Sequence, residues 1–84
     1  MPPINFIEHA LERMKQRGVS ENEVLKTINT GTIDAAKYGR VKFSKTFSVK
    51  DDEKRKSFTK KTVIVFADKI GSQIDVISVL VKFY

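Results

Sequence analysis

The chain has 84 residues, of which 40% are hydrophobic and none is cysteine, and its net charge at pH 7 is +6. This length suits a single domain spanning 1–84, and without cysteine there are no disulfides or thiolate metal sites, so packing must supply the stability. No apolar run approaches the roughly 20 residues of a membrane helix, and the N-terminus lacks the pattern of a signal peptide. We therefore expect a cytoplasmic protein with no membrane association.

A first helix is predicted close to the N-terminus. Asn5 can cap it, and Glu8 follows at the position of a capping-box partner. Apolar residues at helical spacing extend the prediction over residues 6–17, and Gly18 suits the left-handed residue that ends a helix.

A second helix is predicted directly after the first. Ser20 and Glu23 form another capping-box pattern, and the apolar stripe that follows predicts a helix over residues 20–30 that ends at Gly31. Only Gly18, Val19 and the capping residue Ser20 separate the two helices, which is typical of a tight helical hairpin.

After the helices, the apolar period changes from that of a helix to that of strands. Residues 41–49 alternate between apolar and polar, with Lys45 interrupting the apolar side, so a bulge or a sheet edge is expected there. The wholly charged run 50–56 predicts a loop, whereas the apolar, β-branched run 62–67 predicts a central strand covered on both faces. Residues 68–73 predict a turn, 74–84 predict a last strand, and 33–38 predict a weaker early strand.

The order of these elements favours an α+β domain. Helices grouped at one end of the chain and strands at the other predict two N-terminal helices packed on one face of a three- or four-stranded antiparallel sheet. Because the last strand is long and apolar, a swapped or dimeric sheet is the alternative.

The positive charge is concentrated on the first half of the predicted sheet. Residues 37–61 hold ten Lys or Arg and three acidic residues, a net charge of +7, while the rest of the chain carries −1. A localised basic surface attracts polyanions, so RNA is the expected partner. The alternatives are a solvated surface or a docking face for an acidic protein.

One polar stripe on the first helix is a candidate for catalysis. His9, Arg13 and Arg17 follow one another at four-residue spacing and border the apolar face. An unperturbed histidine titrates near neutral pH, and two arginines beside it can hold a phosphate. Equally, Glu12 could pair with His9 or Arg13, and the stripe would then be structural.

The predicted strands supply the remaining candidates. An aromatic residue mixed with cations is typical of an RNA-contacting surface, although ordinary strand composition explains these residues equally well. The RNA-binding candidates are Tyr38, Arg40, Lys42, Lys60 and Lys61, and Lys82 and Tyr84 of the last strand join the catalytic candidates. With one histidine and scattered acidic residues, the sequence predicts no metal site and no cofactor.

The stretch from His9 to Ser20, followed by Val24 and Gly31, resembles the opening of the DUF4258 domains. Their pattern is roughly H-A-x-x-R-M-x-x-R-G-[IV]-[ST], then a second helix that ends in glycine, then a few strands. These domains look similar to RelE-like and colicin-D-like ribonucleases, which include toxins that cut RNA without metal.

The resemblance implies an endoribonuclease of the toxin type, with an acidic antitoxin as a further partner. Carried over by position, the colicin-D-like members imply an acid/base role for His9, and the RelE-like members imply a role for the C-terminal Tyr84. Arg13 and Arg17 match the motif's arginines. RelE-like toxins often use sheet arginines as well, whereas the last strand here offers Lys82 and no arginine. The alternative is a basic domain that binds RNA or an acidic protein without catalysis.

Overall fold

The computed structural model describes residues 3–49 and 59–84, and these form two helices and one sheet. The charged run predicted as a loop at 50–56 lies outside the described residues. The elements are β1 (Ile4–Phe6), α1 (Glu8–Arg17), α2 (Glu21–Thr30), β2 (Thr32–Ala35), β3 (Val41–Ser48), β4 (Lys60–Ile70) and β5 (Gln73–Phe83).

The sheet has five strands in the order β1-β5-β4-β3-β2. Neighbouring strands are antiparallel except β1 and β5, which pair in parallel with Ile4 beside Ile74 and Phe6 beside Val76. The prediction of a three- or four-stranded antiparallel sheet is therefore wrong, although the α+β class holds. Within the described residues β4 is central, as predicted.

The error arose at the N-terminus, where Asn5 lies in β1 and does not cap a helix. Helix α1 begins at Glu8 after Ile7, and no side chain caps it. Exposed Asn5 stands between half-buried Ile4 and Phe6, which is the alternation of a strand. Three residues are too few for this period to be recognised, and their partner lies some 70 residues away in the sequence.

Both helices pack on the same face of the sheet and share one core. Ala10 and Met14 of α1 and Val24 of α2 are buried together with Val65 and Val79, which pair across β4 and β5. Alternate β4 residues on this face are buried, whereas those on the opposite face are half-buried. The prediction that 62–67 is covered on both faces is therefore wrong, because the helices cover one face only.

A β-bulge changes which β5 residues face the helices. Phe66 pairs with Ser78 and Ala67 pairs with Val76, so Ile77 is an extra residue without a partner in the ladder. Before the bulge, the even-numbered residues Ile74 and Val76 face the helices. After it, odd-numbered residues such as Val79 face them. No such bulge occurs at Lys45, but β2 stops pairing with β3 at Ser44, so in the described part of the chain Lys45 begins an edge.

The second helix is held by the cap that the sequence predicts. The Ser20 hydroxyl accepts a hydrogen bond from the Glu23 N–H at 3.2 Å, and the Glu23 carboxylate accepts one from the Ser20 N–H at 3.1 Å. Gly18 ends α1 in the left-handed conformation with φ 68°, as predicted. Neither helix in the described residues is long and apolar enough to cross a membrane.

Candidate functional site

The sheet face away from the helices, here called the open face, collects most of the predicted sheet candidates. Strand register determines which residues share it, because cross-strand partners point to the same side. The open face presents Lys42, Thr46, Lys60, Thr62, Ile64, Phe66, Ser78, Leu80, Lys82 and Tyr84.

At one end of the open face, the Tyr84 hydroxyl binds two threonines. It lies 3.3 Å from the Thr46 Oγ1 atom and 3.1 Å from the Thr62 Oγ1 atom, and the two threonine oxygens are 2.9 Å apart. The backbone N–H and C=O of Tyr84 also bond to Lys60, at 3.0 and 2.9 Å. These contacts fix the last residue of the chain on the sheet.

This arrangement favours the ionised form of Tyr84. The hydrogen bonds with Thr46 and then with Thr62 lower the pKa of the tyrosine hydroxyl below its ordinary value, while burial raises it and the charge of Lys60 lowers it further. The side chain of Tyr84 is still 56% exposed, and Lys82 is exposed on the same strand, in register with Thr62. The Tyr84 hydroxyl and two cations, Lys60 and Lys82, thus lie together on an accessible surface.

The other end of the open face contains a cleft of about 720 Å³. Phe66, Ile77 and Ser78 line it from β4 and β5, and Lys42 lines it from β3. Sequence neighbours on a regular strand point to opposite sides, so Ile77 and Ser78 both line the cleft because of the bulge. The remaining lining residues are Ala35 at the end of β2 and, from the turn that joins β2 to β3, Ala36, Lys37, Tyr38 and Arg40.

Two of the RNA-binding candidates lie in that turn. Arg40 is oriented by Asp68, whose Oδ1 atom accepts a hydrogen bond from the Arg40 Nε–H at 3.2 Å. Tyr38 is 88% exposed and has a positive φ of 61°. The cleft therefore combines an apolar base with an aromatic and cationic rim.

Lys61 does not belong to this surface, contrary to the grouping made from the sequence. It is only 2% exposed, and its Nζ atom lies 2.7 Å from the Glu23 Oε2 atom of α2. Burial would raise the pKa of Glu23, but the Lys61 ammonium and the Ser20 hydrogen bonds lower it below its ordinary value. Lys61 is thus committed to the helix-to-sheet packing and is not accessible to RNA.

On α1, His9 and Arg13 lie side by side. The Arg13 Nε–H donates to the His9 Nε2 atom at 3.3 Å, and the Arg13 Nη1 group donates to Gln16 at 3.2 Å. Nε2 of His9 is therefore the acceptor in this contact. His9 is exposed, so the pair forms a small polar site on the helix layer.

The third residue of the helix stripe lies at the other end of α1. Arg17 is half-buried, and its Nη1 atom is buried without a hydrogen-bond partner. Arg17 is eight positions after His9, so the two residues lie about 12 Å apart along the helix axis. Helix α1 begins beside Val76, whose carbonyl oxygen accepts a hydrogen bond from the Ile7 N–H. Soon after α1 ends, Glu23 of α2 pairs with Lys61, which is opposite Phe83 near the end of β5. Helix α1 therefore runs along β5, and Arg17 lies toward the end of that strand.

The five catalytic candidates therefore do not form one site. His9 and Arg13 lie at the start of β5 on the helix side, whereas Lys82 and Tyr84 lie at its end on the open face. Arg17 shares that end of β5 but lies on the helix side. The described residues include no group of three or more His, Asp or Glu that could hold a metal ion.

Sequence reasoning missed several residues of the open face. Thr46, Thr62 and Phe66 belong to the sites described above, yet no motif marks them. Their positions follow from strand register, since Thr62 is directly opposite both Thr46 and Lys82. The period of two along β4 could have assigned its even-numbered residues to this face. The position of Ile77 depends on the β-bulge, which no sequence pattern indicates.

Comparison with curated proteins and with solved structures finds no match. A family model described as "Domain of unknown function (DUF4258)" matches residues 6–81, which is nearly the whole chain. The chain therefore belongs to the DUF4258 family.

Proposed function

We propose that this protein is a metal-independent endoribonuclease that binds RNA on the open face of its sheet. The observation that carries the proposal is the placement of the Tyr84 hydroxyl, which two threonines hold on an exposed surface beside Lys60 and Lys82. General acid–base chemistry requires an accessible group with a shifted pKa close to charge that can stabilise a phosphate.

The open face also has the composition that RNA binding requires. Lys42, Lys60 and Lys82 come from three adjacent strands and can contact phosphates, while Phe66 and Tyr38 offer rings for bases. Asp34 and Asp68 lie near the cleft end, whereas at the Lys60 and Lys82 end the strand register places no acidic residue opposite either lysine. Phosphate contact and cleavage are assigned to that end.

The proposed reaction is attack of the ribose 2′-hydroxyl on the adjacent phosphate. Tyr84, in its ionised form, accepts the 2′-hydroxyl proton while the 2′ oxygen bonds to phosphorus. The bond from phosphorus to the 5′ oxygen breaks, and the Lys82 ammonium donates a proton to this leaving oxygen. The products are a 2′,3′-cyclic phosphate and a 5′-hydroxyl, and Lys60 stabilises the charge on the phosphorane.

A second candidate places the same reaction on α1. The hydrogen bond from Arg13 to His9 places a histidine, the side chain most often used for proton transfer, beside a cation that can bind a phosphate. This site lacks the surrounding basic surface of the open face, since Glu8 and Glu12 lie on the same helix. We therefore place the reaction at Tyr84 and retain His9 as the competing site.

The experiment is cleavage of single-stranded RNA by the purified protein in EDTA, with identification of the product ends. Tyr84→Phe removes only the hydroxyl, and we expect it to lower the rate by roughly 10²- to 10⁴-fold. Ser72→Ala, which removes an exposed hydroxyl from the turn between β4 and β5, is the control, and we expect it to leave the rate unchanged.

Three other outcomes would change the assignment. If His9→Ala abolishes cleavage and Tyr84→Phe does not, the reaction belongs to α1. If the wild type is inactive in EDTA and active with a divalent cation, the metal-free mechanism is wrong. If no RNA is cut, including ribosome-bound message, the protein binds RNA or an acidic partner such as an antitoxin without catalysis.

A further inference from the structure

The turn between β2 and β3 holds an aromatic residue in a conformation that such residues rarely adopt. Tyr38 and Gly39 have φ values of 61° and 73°, and the Arg40 N–H bonds to the Lys37 carbonyl oxygen at 3.3 Å. Positive φ at both central residues is the signature of a type I′ turn. Asn, Asp or Gly is the usual residue at the position that Tyr38 occupies, because a bulky side chain is strained there.

Packing does not explain why a tyrosine stands at this position. Its side chain is 88% exposed, and the described residues include no hydrogen bond or ion pair to it. Strain that the fold does not require is found preferentially at ligand sites. The location of the Tyr38 side chain supports this explanation, because Tyr38 lines the same cleft as Phe66 and Ile77.

The cleft fits one flat apolar group attached to a charged chain. Phe66 and Ile77 form an apolar base, and Ser78 adds a hydroxyl that can bond to a polar edge. Lys37, Arg40 and Lys42 surround the cleft, and Asp68 fixes the direction of the Arg40 guanidinium. A nucleobase has a stacking surface and polar edges, and the phosphates on either side of it match these cations.

We propose that the cleft takes one unpaired base of a single-stranded RNA, which stacks against the Tyr38 ring above the surface formed by Phe66 and Ile77. This inference rests on the proposed function and specifies its substrate as single-stranded. From Phe66 to Thr62 is four strand residues, or about 13 Å, so an RNA strand that is held in the cleft extends along the sheet toward Tyr84. A base within a duplex cannot enter, since it is stacked and paired on both sides.

The test is binding of a fluorescein-labelled 2′-O-methyl RNA oligomer, single-stranded or annealed to its complement. This probe lacks the free 2′-hydroxyl, so its binding does not depend on cleavage, and failure of the catalytic proposal leaves the result readable. We expect the single strand to bind more tightly than the duplex. Equal affinity for the two would overturn the inference.

Variants of Tyr38 separate stacking from folding. Tyr38→Asn suits the turn, so its melting temperature should equal or exceed that of the wild type, while its affinity for the single strand falls roughly 5- to 150-fold. Tyr38→Phe keeps the ring and should bind as the wild type does. Leu11→Gln, at an exposed apolar residue of α1, is the control for loss of surface hydrophobicity. Wild-type affinity in Tyr38→Asn would refute the stacking role.

Discussion

Lys60 and Lys61 are adjacent in the sequence but should respond to substitution in opposite ways. Lys60 is exposed on the open face, whereas Lys61 is buried on the helix face against Glu23. We expect Lys60→Ala to weaken RNA binding without changing stability. In contrast, Lys61→Met and Glu23→Gln should lower stability without changing RNA binding.

The size of the stability effect follows from the burial of the pair. Removing one charge of a buried ion pair costs about 3–5 kcal/mol in other proteins. The Glu23 side chain is 21% exposed, so we expect the lower end, about 3 kcal/mol, for Glu23→Gln. The amide keeps an acceptor for the Ser20 cap, so the loss is specific to the charge. For a domain of this size, the melting temperature should fall by roughly 12–24 °C.

The size of the binding effect follows from solvent exposure. A cation near a phosphate in water contributes about 1 kcal/mol, so Lys60→Ala should weaken binding roughly fivefold. The slope of log affinity against log salt should fall by about 0.7, the value for one phosphate contact of a single strand. The assays are thermal unfolding and oligomer binding at several salt concentrations. Lower RNA affinity in a folded Lys61→Met, or a loss under 1 kcal/mol in Glu23→Gln, would refute this reasoning.

Three further predictions concern the pH dependence and packing of the same structure. Because the pKa of Glu23 is lowered in the folded state, the stability from its charge is present above its unfolded value of about 4.5 and is lost as pH falls through the folded value. Acid unfolding curves should show a smaller decrease in stability for Glu23→Gln, and equal decreases would contradict this. Gly31→Ala should lower the free energy of unfolding by about 1–3 kcal/mol, because its Cβ would meet the carbonyl oxygens of Thr27 and Ser44; an unchanged melting temperature would argue against this close approach. Thr46→Val should shift the pH profile of cleavage to higher pH, because one hydrogen bond that lowers the tyrosine pKa is lost, and an unshifted profile would exclude the tyrosine as the base.

The sequence was sufficient to predict elements whose signals are local. The Ser20 and Glu23 cap, the left-handed Gly18 and the alternation of β3 each depend on a few neighbouring residues, and the structure confirms them. Strand β1 was missed because its partner in the parallel pair is far away in the sequence, so no local pattern indicates it.

The candidate site was predicted in composition but not in arrangement. Lys61 alternates with the buried residues Val63 and Val65, and this period of two already indicates that it faces the core. Grouping it with Lys60 by charge alone ignored that period. The separation of His9 from Tyr84 depends instead on how α1 lies along β5, which sequence spacing within one element cannot predict.

The proposed site requires that RNA binds the open face and not the helix layer. The most direct test is methyl NMR of the protein during titration with the uncleavable 2′-O-methyl oligomer. We expect shifts at Ile64, Ile77 and Leu80, which lie on the open face or line its cleft, and little change at the exposed Leu11 of α1. Shifts concentrated at Leu11 and around His9, with the open-face methyls unchanged, would contradict the account.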